Sequence, residues 1–262
     1  MNYRVFTLTR YWGSAQKDLD QLHHFINQAE TYSSHILIGV NASKDLTNFS
    51  HFHNEQMGTR AIPVDIVPIT PWYGISSPLN ILLNRVSSLV KNSPDTIVLI
   101  QSPEIRCTST QVKKLLTYMD LSSCLCIGAS LDGHLITTQN QNVPVRGETC
   151  PWNTFTLWNW NKLIRTGFLS TADLVQPAGM EEVPVICLQQ KLFGGKQMNR
   201  AILIKMTDED ILWNNEFEHD TQRRENHLKK LRSKNERTRE LMKILQINET
   251  VDDIGVEHII VS

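Results

Sequence analysis

Apolar and polar positions alternate between two rhythms along the first half of the chain. Residues 3–9 (YRVFTLT) are rich in β-branched and aromatic side chains, which predicts a first strand. Over 17–29, Leu19, Leu22, Phe25 and Ile26 fall at helical spacing. Residues 35–40 (HILIGV) are nearly all apolar, as expected of a strand buried on both faces of a parallel sheet. The cycle then repeats. A weakly striped helix is expected over 47–57. A strand follows over 61–69, whose two prolines point to an edge or a strand end. The next helix has Pro78 in its first turn, where proline is tolerated, and an apolar face of Leu79, Leu82, Leu83, Val86 and Val90. Residues 96–100 (TIVLI) make a fourth strand. A helix capped by Ser109 or Thr110 is expected to reach Met119, and 124–129 (CLCIGA) is a fifth strand. Repeated strand–helix alternation predicts a three-layer α/β domain around a largely parallel sheet.

The second half is less regular. Residues 135–145 are polar and suggest a hairpin. Residues 151–168 hold three of the six tryptophans. A helix is expected over 181–193 with Pro184 in its first turn, and a strand over 200–206. Residues 221–245 read as one long polar helix with a thin stripe of Leu228, Leu231, Leu241 and Leu245.

Composition narrows the functional classes. The 262 residues carry 26 Lys and Arg against 27 Asp and Glu, a net charge of −1, so the protein is not basic throughout. Between 221 and 240, however, eight basic residues face three glutamates. That run suits a solvated helix face, a diphosphate or an anionic surface, including peripheral contact with a membrane. Its lack of aromatic residues argues against nucleic acid. No apolar run is long enough to cross a membrane and no signal peptide is seen. The five scattered cysteines suggest reduced, buried thiols and a cytoplasmic setting.

Ligands of parallel α/β sheets bind beyond the carboxyl ends of the strands, so the loops after Val40, Ile69 and Ile100 matter most. Asn41, Ser43 and Asp45 stand at a strand-to-helix turn, where they suit helix capping and also a nucleoside or phosphate. Gly74 permits close backbone approach, and Asn80 lies among apolar residues and needs partners, from the protein or from a ligand. The fourth strand ends in Gln101-Ser102-Pro103-Glu104, which offers one carboxylate and one neutral oxygen to a metal ion. Glu181 and Glu182 begin a helix, where the dipole favours them and where one can serve as a general base. Trp152, Trp158 and Trp160 suit either a core or a sugar site. A dinucleotide-binding GxGxxG is absent after the first strand. TRYWGS has a single glycine, too few for the phosphate loop of a nucleotidyltransferase.

Taken in order, these segments resemble the family-two glycosyltransferases of GT-A fold. ILIGVNASKDLT is similar to the strand and turn that hold the nucleoside base, GISSPLNILLNRV to the family's glycine loop and Asn-bearing helix, and DTIVLIQSPEI to the strand ending in the Asp-x-Asp metal motif. GMEEVPVICLQQ resembles the acidic pair that carries the catalytic base, and WNNEFEHDTQRRENHLKKLRSKNERT the basic tail. The resemblance implies an α/β GT-A domain over residues 1–216 and a basic helical tail over 217–262. It implies transfer of a sugar from a nucleotide-diphospho-sugar to an acceptor hydroxyl, on a glycan, a lipid-linked molecule or a small molecule, with inversion. Glu181 or Glu182 would be the base. Asn41, Ser43, Asp45, Gly74, Asn80, Gln101, Arg223 and Arg224 would hold the donor. Glu104 and His219 would hold Mn2+ or Mg2+. The sequence departs from the pattern at Asn41, which stands for an acidic residue, and at Gln101 and Pro103, which stand where the metal aspartates belong. Those departures make a non-catalytic sugar-nucleotide-binding relative, or a subunit of a larger complex, the alternative.

Overall fold

The computed structural model describes residues 3–11, 16–42, 60–90, 94–136, 141–207, 211–213, 221–248 and 252–261. The helix expected over 47–57 lies outside them. In the first half the alternation is realised as β1 (Arg4–Tyr11), α1 (Gln16–Ala29), β2 (His35–Asn41), β3 (Val64–Ile69), α2 (Ser76–Leu89) and β4 (Thr96–Gln101). Next come β5 (Ile105–Arg106), α3 (Ser109–Leu116), β6 (Cys124–Ala129), β7 (Gln141–Val143), β8 (Phe155–Asn159) and α4 (Trp160–Leu163). The last part holds α5 (Glu182–Leu192), α6 (Gly195–Met198), β9 (Arg200–Met206), β10 (Leu212–Trp213), α7 (Thr221–Arg232), α8 (Lys234–Ile244) and β11 (Val256–Val261).

Nine strands form one sheet in the order β3-β2-β1-β4-β8-β6-β9-β11-β7, and β5 pairs with β10 in a small second sheet. In the large sheet β8 and β7 run antiparallel to their neighbours and the other pairings are parallel. As its prolines suggested, β3 is an edge strand. The side chains of β2 alternate between layers. Ile36, Ile38 and Val40 pack with Leu22, Phe25 and Ile26 of α1, while Leu37 joins the larger core that holds Leu79, Leu82 and Val86 of α2. Each such fully buried aliphatic or phenyl side chain contributes about 1.5–3 kcal/mol. The result is the expected three-layer α/β architecture. All five cysteines are buried, and none is in a disulfide.

Three details differ from the sequence expectation. The cap of α3 is Thr108, not Ser109 or Thr110. Its hydroxyl accepts from Gln111 N while the Gln111 side chain accepts from Thr108 N, a reciprocal pair that only a residue three before Gln111 can make. The long basic helix is two helices. At Ser233 the hydroxyl donates to the Lys230 carbonyl at 3.1 Å and interrupts the run. The polar stretch after Leu135 supplies β7, which pairs with β11 at the sheet edge. Residues 256–261 (VEHIIV) lie between β9 and β7, so the chain beyond the basic helices returns to the sheet. His258 Nε2 lies 2.9 Å from the Thr149 carbonyl and fixes that strand from inside.

Candidate functional site

Parallel strands end at a common edge, and there a cleft of about 230 Å³ opens. Thr9 and Arg10 reach it from β1, and Ile100 and Gln101 from β4. Because β8 is antiparallel, its start arrives at the same edge. Gln101 lies opposite Phe155, and Ser102 N donates to the Thr154 carbonyl, so Trp152, Asn153 and Thr154 form the next wall. The turn before α5 brings Gly179 to Glu182. The junction of α7 and α8 closes the cleft with Lys230, Leu231, Lys234 and Arg237.

The two glutamates are aimed by an unusual backbone. Gly179 has φ 143° and Met180 has φ 65°. A left-handed conformation costs a non-glycine residue about 1–2 kcal/mol, and buried Met180 is held in it by its surroundings. Both residues line the cleft although they are adjacent in sequence. Glu181 forms an ion pair with Arg10 at 3.4 Å, and Arg10 also donates to the Ile75 carbonyl at 2.9 Å. Glu182 is 2% exposed. Burial, reinforced by the neighbouring Glu181 carboxylate, pushes its carboxyl well above the usual range.

Lys234 is the opposite member of this arrangement. Its ammonium lies 3.1 Å from the centroid of the Trp152 ring, whose far face stacks on His134 at 3.5 Å. Burial pushes the Lys234 ammonium down, and the charge of Glu182 opposes that shift. A cation on a desolvated indole gains about 2 kcal/mol, which partly offsets the burial. His134 is fixed as a neutral imidazole. Nδ1 accepts from Leu131 N at 2.9 Å, which leaves Nε2 to donate to the Cys150 carbonyl at 3.0 Å. Burial, and then the charge of Lys234, lower this imidazole to about 3. Two glycines let the helices approach. A Cβ on Gly147 would fall 2.3 Å from the carbonyl carbon of Lys234, and one on Gly179 would fall 2.6 Å from Arg237 Nη1.

Several polar atoms in the walls have no hydrogen-bond partner among the described residues: Thr9 Oγ1, Gln101 Nε2, Asn153 Nδ2 and Arg237 Nε. Their side chains are otherwise engaged. Gln101 Oε1 accepts from Tyr32, Asn153 Oδ1 accepts from Trp158 Nε1, and Arg237 Nη2 donates to the Lys230 carbonyl. An unsatisfied buried group costs about 1–3 kcal/mol, and all four belong to residues that line this one cleft. Most are donors. Glu104 is hydrogen-bonded by the Ser102 hydroxyl, and His219 lies outside the described residues. Among the described residues no group of three or more His, Cys, Asp or Glu is placed to hold a metal. Unfilled N–H groups beside four basic side chains repel a divalent cation, so the described part of the cleft does not fit one.

Of the residues expected at the site, Gln101, Glu181 and Glu182 come together. Asn41 is buried at the end of β2, with β1 between it and β4, about 10 Å of sheet from Gln101. It is not among the lining residues. Ser43 and Asp45 lie outside the described residues. Gly74 and Asn80 act within the scaffold. A Cβ on Gly74 would fall 2.2 Å from the Asp173 carboxylate, which accepts from Ile75 N and holds the start of α2. Asn80 donates to and accepts from the backbone of Phe168, at 2.7 and 2.8 Å. Arg224 is exposed on α7, and the side chain of Arg223 lies outside the description. The basic residues at the cleft are instead Lys230, Lys234 and Arg237, with Arg10 from β1. The first three fall at i, i+4 and i+7, a helical-face spacing visible in the sequence. Nothing local marks Arg10.

No protein-family model and no curated protein sequence matches this chain. Solved structures do. PcManGT, a mannosyltransferase from Pyrobaculum calidifontis solved with GDP-Man and Mn2+, is 11% identical at a TM-score of 0.53 over 87% of this chain. Residues 1–349 of S. aureus TarS are 10% identical at a TM-score of 0.50 over 79% of this chain. This chain spans 62% and 59% of those two structures. A Bacillus anthracis protein assigned as a glucose-1-phosphate thymidylyltransferase, solved with sucrose, is 9% identical at 0.51, with 86% of this chain and 94% of that chain covered. At such identities the likeness is one of fold, and it agrees with the mixed α/β architecture around a large, mostly parallel sheet. The chain therefore has the GT-A, nucleotide-diphospho-sugar transferase-like fold.

Proposed function

We propose that the protein transfers a sugar from a nucleotide-diphospho-sugar to an acceptor hydroxyl by one displacement that inverts the anomeric carbon. The observation that carries this reading is the cleft itself: a glutamate pair on one wall faces basic side chains and unfilled donors on the others, at the carboxyl edge of the sheet. Glu181 takes the proton of the acceptor hydroxyl. The acceptor oxygen bonds to the anomeric carbon as the bond from that carbon to the diphosphate oxygen breaks, and the electron pair leaves with the diphosphate. Glu181 is the better candidate because burial disfavours the charged form of Glu182 and raises its carboxyl above the usual range. Donors and cations that meet the leaving charge lower the barrier only as far as they bind it more strongly in the transition state. The exposed basic residues of α7, Arg224, Lys229 and Arg232, suit an anionic lipid surface near the acceptor.

A thermal-shift panel of UDP-, GDP- and other nucleotide-sugars identifies the donor, since a ligand of the folded state raises the melting temperature. With that donor, Glu181→Gln is expected to lower kcat by about 10²–10⁴ and leave donor affinity nearly unchanged. A fully active E181Q enzyme would end this assignment. The acid-poor tip of β4 favours a second reading, a non-catalytic binding protein. It expects donor binding without turnover and no effect of Glu181→Gln or Glu182→Gln on that binding.

A further inference from the structure

The reading above leaves open how the diphosphate is neutralised. From the geometry we infer that Lys234, Lys230 and Arg237, with Arg10 from β1, hold the donor's diphosphate in place of a divalent metal ion. The inference rests on the nucleotide-sugar reading and deepens it.

Three independent observations carry it. The cleft is lined by four basic residues and by two glutamates, both buried, of which Glu181 is already paired with Arg10. Its unpartnered atoms include donors on side chains at least nine-tenths buried: Gln101 Nε2, Asn153 Nδ2 and Arg237 Nε. These suit phosphate oxygens and oppose a cation. The basic groups are also built in. Lys234 is clamped on Trp152. Arg237 is 4% exposed and donates to the carbonyls of Pro177 and Lys230 at 3.3 and 2.7 Å. Gly147 and Gly179 each clear the space for one of them. A solvated helix face needs none of this.

The site also fixes a direction of pH dependence. Lys234 is faced by Glu181 and Glu182 from the start of α5, by Cys150 ahead of β8 and by Arg237 on its own helix, while His134 lies behind Trp152. Burial lowers its ammonium to about 8 in the free protein. An incoming diphosphate favours the charged form, so binding takes up a proton, and affinity falls as pH rises through that value.

The test is calorimetric titration of the full chain with inorganic pyrophosphate, UDP and GDP, in EDTA and again in Mn2+. Pyrophosphate and one nucleoside diphosphate are expected to bind in EDTA, with affinity within about twofold of that in Mn2+ and weakening with salt and above pH 8. Lys234→Met and Lys230→Gln are each expected to weaken binding about tenfold. Lys230 is exposed, so its variant keeps the fold and decides the matter if the Lys234 variant does not. Binding that requires Mn2+, or binding in EDTA that neither variant nor pH alters, overturns the inference and leaves the nucleotide-sugar reading standing. Absence of binding by pyrophosphate and by both nucleotides, in both buffers, overturns both. Pyrophosphate binding in EDTA without any nucleotide binding supports the cation site and removes the nucleotide-sugar reading.

Discussion

Two backbone angles decide where the acidic pair points. Gly179 and Met180 turn the chain so that two adjacent glutamates line one cleft, and the same glycine admits the Arg237 guanidinium. Gly179→Ala adds a methyl group 2.6 Å from Arg237 Nη1 at a φ that L residues rarely adopt. It is expected to lower stability by about 1–3 kcal/mol and to weaken donor binding together, read by a denaturant melt and a titration of the same sample. At this scale the sequence is readable where chemistry is local. Two glutamates after a glycine at a helix start announce themselves, and so does a polar end to an apolar strand at Gln101. Gly74 and Asn80 are visible as residues with special needs. Their partners, Asp173 and Phe168, lie far along the chain, and no local pattern says whether a ligand or the fold meets the need. Arg10 meets Glu181 across 171 residues and is invisible for the same reason.

Helices and strands carry those residues to one place, and the α7–α8 junction does so for the cations. Gly147→Ala pushes on the backbone of Lys234 and is expected to lower the melting temperature and weaken pyrophosphate binding at once. Thr108→Ala is the matched control. It removes the capping box of α3, away from the cleft, and should cost about 1 kcal/mol while leaving binding unchanged. If both variants weaken binding equally, the junction has no special role. Long periodic elements were legible because burial on one or both faces leaves a repeat. The break at Ser233 was not, since a hydroxyl–carbonyl bond competes with the helix only by a small margin. Strand β11 was also missed. Glu257 and His258 interrupt its apolar run, and its place comes from β9 and β7 rather than from its own pattern.

For the whole molecule, the strand–helix alternation was enough to specify three layers. It was not enough to show that β8 enters the sheet backwards between β4 and β6, because direction is set by the connections and not by hydropathy. Buried imidazoles tie the stability of this fold to pH. Burial lowers His35, His134 and His258, with His134 at about 3 against 6.5 when unfolded. Above 6.5 both states of His134 are neutral. Below it the unfolded chain binds a proton that the fold refuses, so stability is lost toward acid, by up to about 1.4 kcal/mol per pH unit from this one group. Denaturant melts from pH 7 to 4 are expected to show that slope, and His134→Gln to flatten it. The stack of His134, Trp152 and Lys234 gives the protein an optical side-effect. An indole with an ammonium on its face emits according to that charge, so filling the cleft changes the tryptophan fluorescence without any added label. Replacing Trp152 with Phe should abolish the signal, and a signal that survived would have to come from another ring.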